Sequence, residues 1–395
     1  MARLVISTVG TSVLTNQIDP AIDDNYYERL QQTANYTDNE IQHDPVIKQI
    51  ISELKERAEQ ELSSDDTDKI RKASAELNGI YGLYNEQIEQ GISDEQGISD
   101  THLLVTTDTA QGLVAAEVVE SFLKSKGLTN ISTHAQPGLS TASSDIFVEG
   151  MAKLIPFMQK NIKEYQDCRY KICFNLVGGF KALQGYFNTI GMFYADEIIY
   201  VFEGSNQLIK IPKLPVKVDV SDIEPYKVQL AMMDAGEIST SWEEAKKVPQ
   251  AWILVDGQEM TLSAWGQLLW EQCKEELLSQ KLLKFPKIDY KSTFSDDYKK
   301  IENNLQEKVK LQETLAKASQ LLQKSGGDTS ILKKDPGLKY DKYTNKKPYT
   351  SANGDKVDIA HFRVTQGIRV SCTLSNRILL LHRYGKEPEV NNNPY

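Results

Sequence analysis

Cysteine is scarce in this chain. Among 395 residues there are four, Cys168, Cys173, Cys273 and Cys372, and no two of them make a C-x-x-C pair. That spacing argues against a thiolate zinc ribbon and against a disulfide framework, and it predicts a reducing, cytoplasmic location. No apolar run approaches the roughly 20 residues of a membrane span, so no membrane partner is expected. The five histidines are scattered, and neither an H-x-E motif nor an Asp-rich or His/Cys cluster is present. No metal site is therefore expected, which disfavours a metal-dependent nuclease. The opening residues read as a strand and not as a secretory leader.

Positive charge is also in deficit, with 45 Lys and Arg against 55 Asp and Glu, but the deficit is uneven. Residues 286–395 hold 20 basic and 13 acidic side chains, a net of +7, whereas residues 1–285 hold 25 and 42. A basic carboxyl-terminal part on an acidic body predicts that only that part meets a polyanion. The length exceeds the reach of a single core, and boundaries are expected to give units at 1–220, 221–285 and 286–395.

Two segments stand out: Ser7-Thr-Val-Gly-Thr-Ser12 and Asn175-Leu-Val-Gly-Gly-Phe-Lys-Ala182. Each follows an apolar strand and turns through small residues. In an open parallel sheet two such turns after neighbouring strands form a crevice at the strands' carboxyl ends, where ligands bind. Gly10, Gly178 and Gly179 let the backbone approach a phosphate, a helix amino terminus adds positive potential, and Lys181 adds a mobile cation.

Strands are predicted at 2–8, 102–107, 130–134, 170–176, 197–202 and 208–211, with helices at 114–124 and 151–163 between them. This alternation is the pattern of an α/β, Rossmann-like, doubly wound parallel sheet. Residues 20–100 are acidic and helix-patterned, with Val46, Ile50, Ile51 and Leu54 as an apolar stripe, and form a helical insertion or an extended first crossover. The tandem Gly-Ile-Ser-Asp at 91–94 and 97–100 is expected to be a loop.

All four tryptophans fall within 221–285. A small helical or winged-helix module is expected there, with a helix over 262–283. A single helix is predicted over 294–324, its apolar stripe missing one step at Gln312. Strands at 357–364, 369–374 and 377–382, joined by turns at Gln366-Gly367 and Ser375-Asn376, complete an α+β domain.

The first 215 or so residues resemble the CRISPR-associated Rossmann (CARF) sensor domains. The resemblance is carried by 7–12, Ser74-Ala-Glu-Leu-Asn78, Thr106-Thr-Asp-Thr109 with Gly112, Gly178-Gly-Phe-Lys181 and Ile211-Pro-Lys-Leu-Pro215. It implies a homodimer that binds a cyclic oligoadenylate second messenger (the messenger, as distinct from mRNA), most often the tetra-adenylate, as an allosteric activator across its two-fold axis. The expected ligand contacts are Gly10, Thr11, Ser12, Thr107, Asp108, Gly178, Gly179 and Lys181. Asp108 is also expected to cap the following helix. Slow self-limiting ring cleavage is a further implication of this resemblance.

The last hundred residues resemble RelE/HigB messenger RNA interferases through His361-Phe-Arg-Val364, Gly367-Ile-Arg-Val370 and the run from Leu379 to Lys386. Glu387 stands where those relatives commonly carry a second basic residue. Together the two ends are similar to CARF–RelE fusions, which implies an mRNA-cleaving effector of type III CRISPR systems acting at the ribosome. Metal-free RNA cleavage needs a base for the 2′-hydroxyl, cations for the phosphorane and an acid for the leaving oxygen. Arg363 and Arg369 lie on strands joined by a tight turn and can converge on one phosphate. His361, two residues before Arg363, shares its face and is the candidate base. His382, Lys386 and Tyr395 are candidates for acid and charge.

Two other readings compete. One is a dedicated ring nuclease. The other is a ligand-responsive DNA-binding regulator, which the acidic residues Glu271, Glu275 and Glu276 on the 262–283 helix disfavour.

Overall fold

The structure, a computed structural model, describes residues 1–84, 100–202, 206–350, 354 and 356–395. The Gly-Ile-Ser-Asp tandem lies outside the described residues except for Asp100. Two compact units divide the chain at Lys217 and Val218.

In the first unit, β1 (Arg3–Thr8), β2 (Thr101–Thr107), β3 (Ile131–Gln136), β4 (Lys171–Asn175), β5 (Glu197–Val201) and β6 (Leu208–Pro212) form one sheet in the order β3-β2-β1-β4-β5-β6. All neighbours are parallel except β5 and β6, which run antiparallel. This is a Rossmann-like strand order, and it reverses between β1 and β4.

The first crossover is long and helical. It contains α1 (Ser12–Thr15), α2 (Tyr26–Gln32), α3 (Asp38–Ile41), α4 (Pro45–Leu62), α5 (Thr67–Ala73) and α6 (Ala75–Leu83). The apolar stripe of α4 is Ile47, Ile50, Ile51, Leu54, Ala58 and Leu62. Ile50, Ile51 and Leu54 are buried as expected, but Ile47 takes the place expected for Val46, which is 54% exposed in the first turn, where Asp44 caps the helix and Pro45 opens it. This stripe shares a core with Val118, Val119 and Phe122 of α7 (Ala110–Ser125). The later connections carry α8 (Ser144–Asp167) and α9 (Lys181–Tyr194).

In the second unit, α10 (Val220–Ile223) and α11 (Lys227–Ala235) precede a three-stranded sheet of β7 (Ile238–Ser239), β8 (Ile253–Asp256) and β9 (Glu259–Leu262), ordered β7-β9-β8. Helix α12 (Ala264–Leu278) follows the hairpin. Between β7 and the hairpin the chain makes only the 3-10 turns Ala245–Lys247 and Gln250–Trp252, so a groove-reading helix is absent from that position.

The helix expected over 294–324 is two: α13 (Ser292–Lys300) and α14 (Leu305–Lys324), separated where Asn304 caps α14 through Glu307 N–H. Gln312, the missing apolar step, is fully buried. Its Oε1 accepts from Leu283 N–H at 2.8 Å and its Nε2 donates to Leu278 O at 2.6 Å. A glutamine ties the end of α12 to α14 here, because backbone groups buried at that junction need partners.

The strand ahead of α13 joins four strands that follow α15 (Ser330–Lys334) in a five-stranded sheet ordered β10-β16-β15-β14-β11. Its strands are β10 (Ile288–Tyr290), β11 (Asp341–Lys342), β14 (Ile359–Arg363), β15 (Ile368–Ser375) and β16 (Ile378–Lys386); β12 (Tyr349–Thr350) and β13 (Lys356–Val357) pair separately. The β15–β16 turn is centred on Asn376 and Arg377, both at positive φ, one residue later than expected. Strand β16 continues past His382 to Lys386 and ends in α16 (Glu387–Asn392). One apolar cluster joins Trp270 and Leu277 of α12 to Leu315 of α14 and to Phe362 and Val370 of the sheet. The segments expected as separate units at 221–285 and 286–395 therefore share a core.

Candidate functional site

The sheet order places the turns after β1, β2 and β4 side by side. They line a crevice of about 340 Å³ whose walls include Gly10, Thr11, Ser12, Thr107, Gly178 and Gly179, together with Asn35 and Thr141. The first and third turns touch: a Cβ on Gly10 would stand 3.0 Å from Gly179 Cα and N. Gly179 has φ +90°, a backbone that side chains disfavour.

Beneath the turns lies Glu76, fully buried. Its carboxylate accepts from Gly10 N–H at 2.8 Å, from Ser12 Oγ–H at 2.9 Å and from Ser74 Oγ–H at 2.6 Å. Ser12 Oγ in turn accepts from Ala75 N–H at 3.0 Å. The Ser12 hydroxyl, expected to face a ligand, therefore donates its proton inward, which leaves Thr11 as the hydroxyl at the first turn without such a commitment. A Cβ on Gly178 would lie 2.0 Å from Glu76 Oε1, so the buried carboxylate by itself requires a glycine there. Glu76 sits inside the quoted 74–78 motif, but nothing in its local pattern signals that it reaches both turns.

Asp108 does not cap α7. Thr109 does, accepting from Gly112 N–H at 3.3 Å, and Asp108 accepts instead from Gly138 N–H at 2.7 Å. Asn35 Oδ1 accepts from Ser140 Oγ, Thr141 N and Thr141 Oγ1 at 2.8–2.9 Å, so both side chains hold the loop after β3 beside the crevice. Thr107 Oγ1 is shared with Thr109 Oγ1 at 2.8 Å. Lys181, the first residue of α9, is exposed and follows the lining residue Phe180 in the chain, but neither it nor Asp108 is among the residues that line the crevice.

In the second unit the antiparallel register sets Arg363 opposite Arg369 and His361 opposite Ser371. The strand period puts these four on the sheet face away from Phe362 and Val370, as the alternation predicts. That face is covered. Arg369 is 6% exposed, and its Nη2 pairs with Glu387 Oε1 at 2.9 Å. Ser371 Oγ donates to Pro394 O at 2.6 Å, and Tyr343 Oη donates to Asn391 Oδ1 at 2.8 Å, so α16 and the residues after it are fastened over the sheet.

His361 lies with its ring 4.6 Å from that of Tyr343, and its buried Nδ1 has no partner among the described residues. Burial, and then the charge of Arg369, push its pKa below the usual histidine value, so it is neutral and able to take a proton at pH 7. His382 is buried, with Nε2 2.9 Å from Thr373 Oγ1 and the Tyr349 ring 4.5 Å away. Burial, and then Lys291, lower its pKa to about 4. The expectation that His382 supplies an acid therefore meets a neutral, satisfied imidazole.

Tyr395 donates its hydroxyl to Lys347 O and stacks 6.4 Å from Tyr349, while Lys386 is exposed at the start of α16. Arg363 turns toward a separate cleft of about 390 Å³, lined also by Lys310, Lys317 and Asp234. Its Nε is buried without a partner among the described residues. The two arginines thus face each other in register but do not converge on one open phosphate position. The described residues contain no group of acidic, histidine or cysteine side chains that would hold a metal ion, and no helix long and apolar enough to cross a membrane.

The first unit is thus a mixed α/β fold with a mostly parallel six-stranded sheet in Rossmann-like order. A model of a family described as CRISPR-associated protein (Cas_APE2256) matches residues 71–214, from α5 through β6. The matched segment includes Glu76, Thr107 and the Gly178–Lys181 turn, and it supports a CRISPR-associated ancillary role. No curated protein matches the chain.

Proposed function

We propose that the protein is an ancillary effector of type III CRISPR systems, a cyclic-oligoadenylate-activated endoribonuclease that cleaves mRNA at the ribosome. One observation carries the sensing half. The touching glycine turns at the β1/β4 reversal make a small-walled crevice, and the turns after β2 and β4 that line it lie in the segment similar to a CRISPR-associated family. Backbone N–H groups and the amino terminus of α9 offer positive potential to a phosphate, with Lys181 as a charge-assisted donor. Cyclic tetra-adenylate is the favoured ligand, and a homodimer would present two such crevices to it.

In the cleaving half, neutral His361 takes the 2′-hydroxyl proton, the oxygen attacks the adjacent phosphorus, and the 5′-oxygen leaves with a proton from an acid. Arg369 stabilises the phosphorane once it is released from Glu387. The products are a 2′,3′-cyclic phosphate and a 5′-hydroxyl, and no metal takes part. Support for this half comes from the shared sheet face of His361 and Arg369 and from the neutral state of the histidine.

The test is translation in a cell-free extract with each cyclic oligoadenylate added in turn, followed by mapping of mRNA ends. Cleavage that depends on one ring size supports the proposal. Ring breakdown with intact mRNA supports a dedicated ring nuclease instead.

A further inference from the structure

We infer that a second cleft of the carboxyl-terminal unit, floored by Lys308, binds the phosphodiester backbone of single-stranded RNA; this rests on the ribonuclease reading above and deepens it. The cleft has a volume of about 680 Å³ and brings Lys227, Lys281, Lys299 and Lys308 together from α11, the segment after α12, α13 and α14. The acidic residues on its walls are Glu224 and Glu302.

Lys308 is the distinctive member. It is 7% exposed, and its Nζ stands 5.4 Å from the centre of the Tyr298 ring. That ring is fixed, since Tyr298 Oη donates to Gln280 O at 2.9 Å. No carboxylate pairs with Lys308 among the described residues. A cation held against an aromatic face, and otherwise unneutralised, retains its attraction for an anion entering the cleft.

Lys281 is exposed and likewise has no carboxylate partner among the described residues. Lys227 and Lys299 pair with Glu224 and Asp296 at 2.9 Å, exposed contacts worth little and readily exchanged for phosphate. Four point charges spread over four segments suit a chain of phosphates better than one planar carboxylate, which a guanidinium fork would grip. A concave site of this size admits one or two nucleotides of a single strand, whereas a duplex meets only its rim.

The experiment uses the full chain, with Lys281→Ala, Lys308→Gln and the double variant. Binding of a short unstructured fluorescent RNA is measured across a salt series, beside a duplex DNA of similar length and the messenger-stimulated mRNA cleavage of each preparation. Each lysine removed should weaken RNA binding several-fold and reduce the slope of log K against log salt by about 0.7. Because Lys308 is buried, its variant also requires an unchanged melting curve; exposed Lys281 keeps the test decisive without it. RNA affinity and slope equal to the parent in Lys281→Ala and the double variant, with cleavage intact, overturn the cleft and leave the ribonuclease reading standing. A loss confined to duplex DNA also overturns it. A parent protein that neither binds nor cleaves RNA overturns both.

Discussion

Glu387 holds Arg369 in an ion pair of 2.9 Å, with the arginine side chain 7% exposed and the glutamate 40%. The pair joins the middle sheet strand β15 to the first turn of α16, and the backbone supports it, since Glu387 N–H donates to Gly367 O at 2.8 Å. A cation so placed is neutralised and shielded from RNA. Glu387→Gln removes the charge and keeps the size, so messenger-independent mRNA cleavage should rise several-fold over the parent. Basal cleavage equal to the parent would show that the pair does not restrain Arg369.

Arg369→Ala should lower messenger-stimulated cleavage by about 100-fold, on the order of 2.7 kcal/mol for one lost transition-state charge. Messenger binding should stay intact, because the crevice lies in the other unit. His361→Ala should also slow cleavage, and less so at high pH if the histidine is the base. Two variants that both cleave like the parent would remove this sheet face from consideration.

Gly178→Ala places a methyl group 2.0 Å from Glu76 Oε1. The buried carboxylate must shift and release at least one of its three donors, a loss of roughly 1–3 kcal/mol for a buried group left unsatisfied. A lower melting temperature together with weakened messenger binding is expected. A variant as stable as the parent, binding with the same affinity, would mean that the turn tolerates a side chain and that Glu76 does not shape it.

Lys181→Ala should weaken messenger binding by roughly 1.5–3 kcal/mol, about 10- to 150-fold, as expected for a charge-assisted contact to phosphate. Since Lys181 is exposed, stability should not change. An isothermal titration giving the parent affinity would exclude Lys181 from the site.

Acid should destabilise the protein before its carboxylates titrate. Burial, and then Arg3, lower the pKa of His102 to about 3; burial, and then Lys291, lower that of His382 to about 4; the ordinary value is 6.5. Below pH 6.5 the unfolded chain binds protons that these folded side chains refuse, so their contribution is complete above 6.5 and declines as the pH falls toward 4. Melting temperatures measured from pH 7 to 4.5 should drop steadily, and His382→Gln should flatten part of the decline. A parent curve that stays level over that interval contradicts the buried neutral histidines.

The local pattern of residues determined a good deal by itself. Apolar strands running into Gly10–Ser12 and Gly178–Lys181, with helices between strands, specified an α/β sheet and the turns that line its crevice. Those signals lie within a few residues, where strand period and turn chemistry act. The alternation from His361 to Arg363 likewise gave the shared face. Tertiary structure decided what those side chains meet. Glu76 comes from the end of the first crossover to bind Gly10 and Ser12, and a 66-residue separation along the chain leaves no periodic trace. Gln312 looked like a gap in a stripe, yet it is the buried amide that joins two helices. Strand β10 has three residues and pairs with β16 in parallel, too short a segment to register as a strand before its partner is known. The fate of Arg369 rested on whether the chain after β16 folds back over the sheet. Hydrophobic period reports which side of an element is buried; which distant group covers it is settled only when the elements pack.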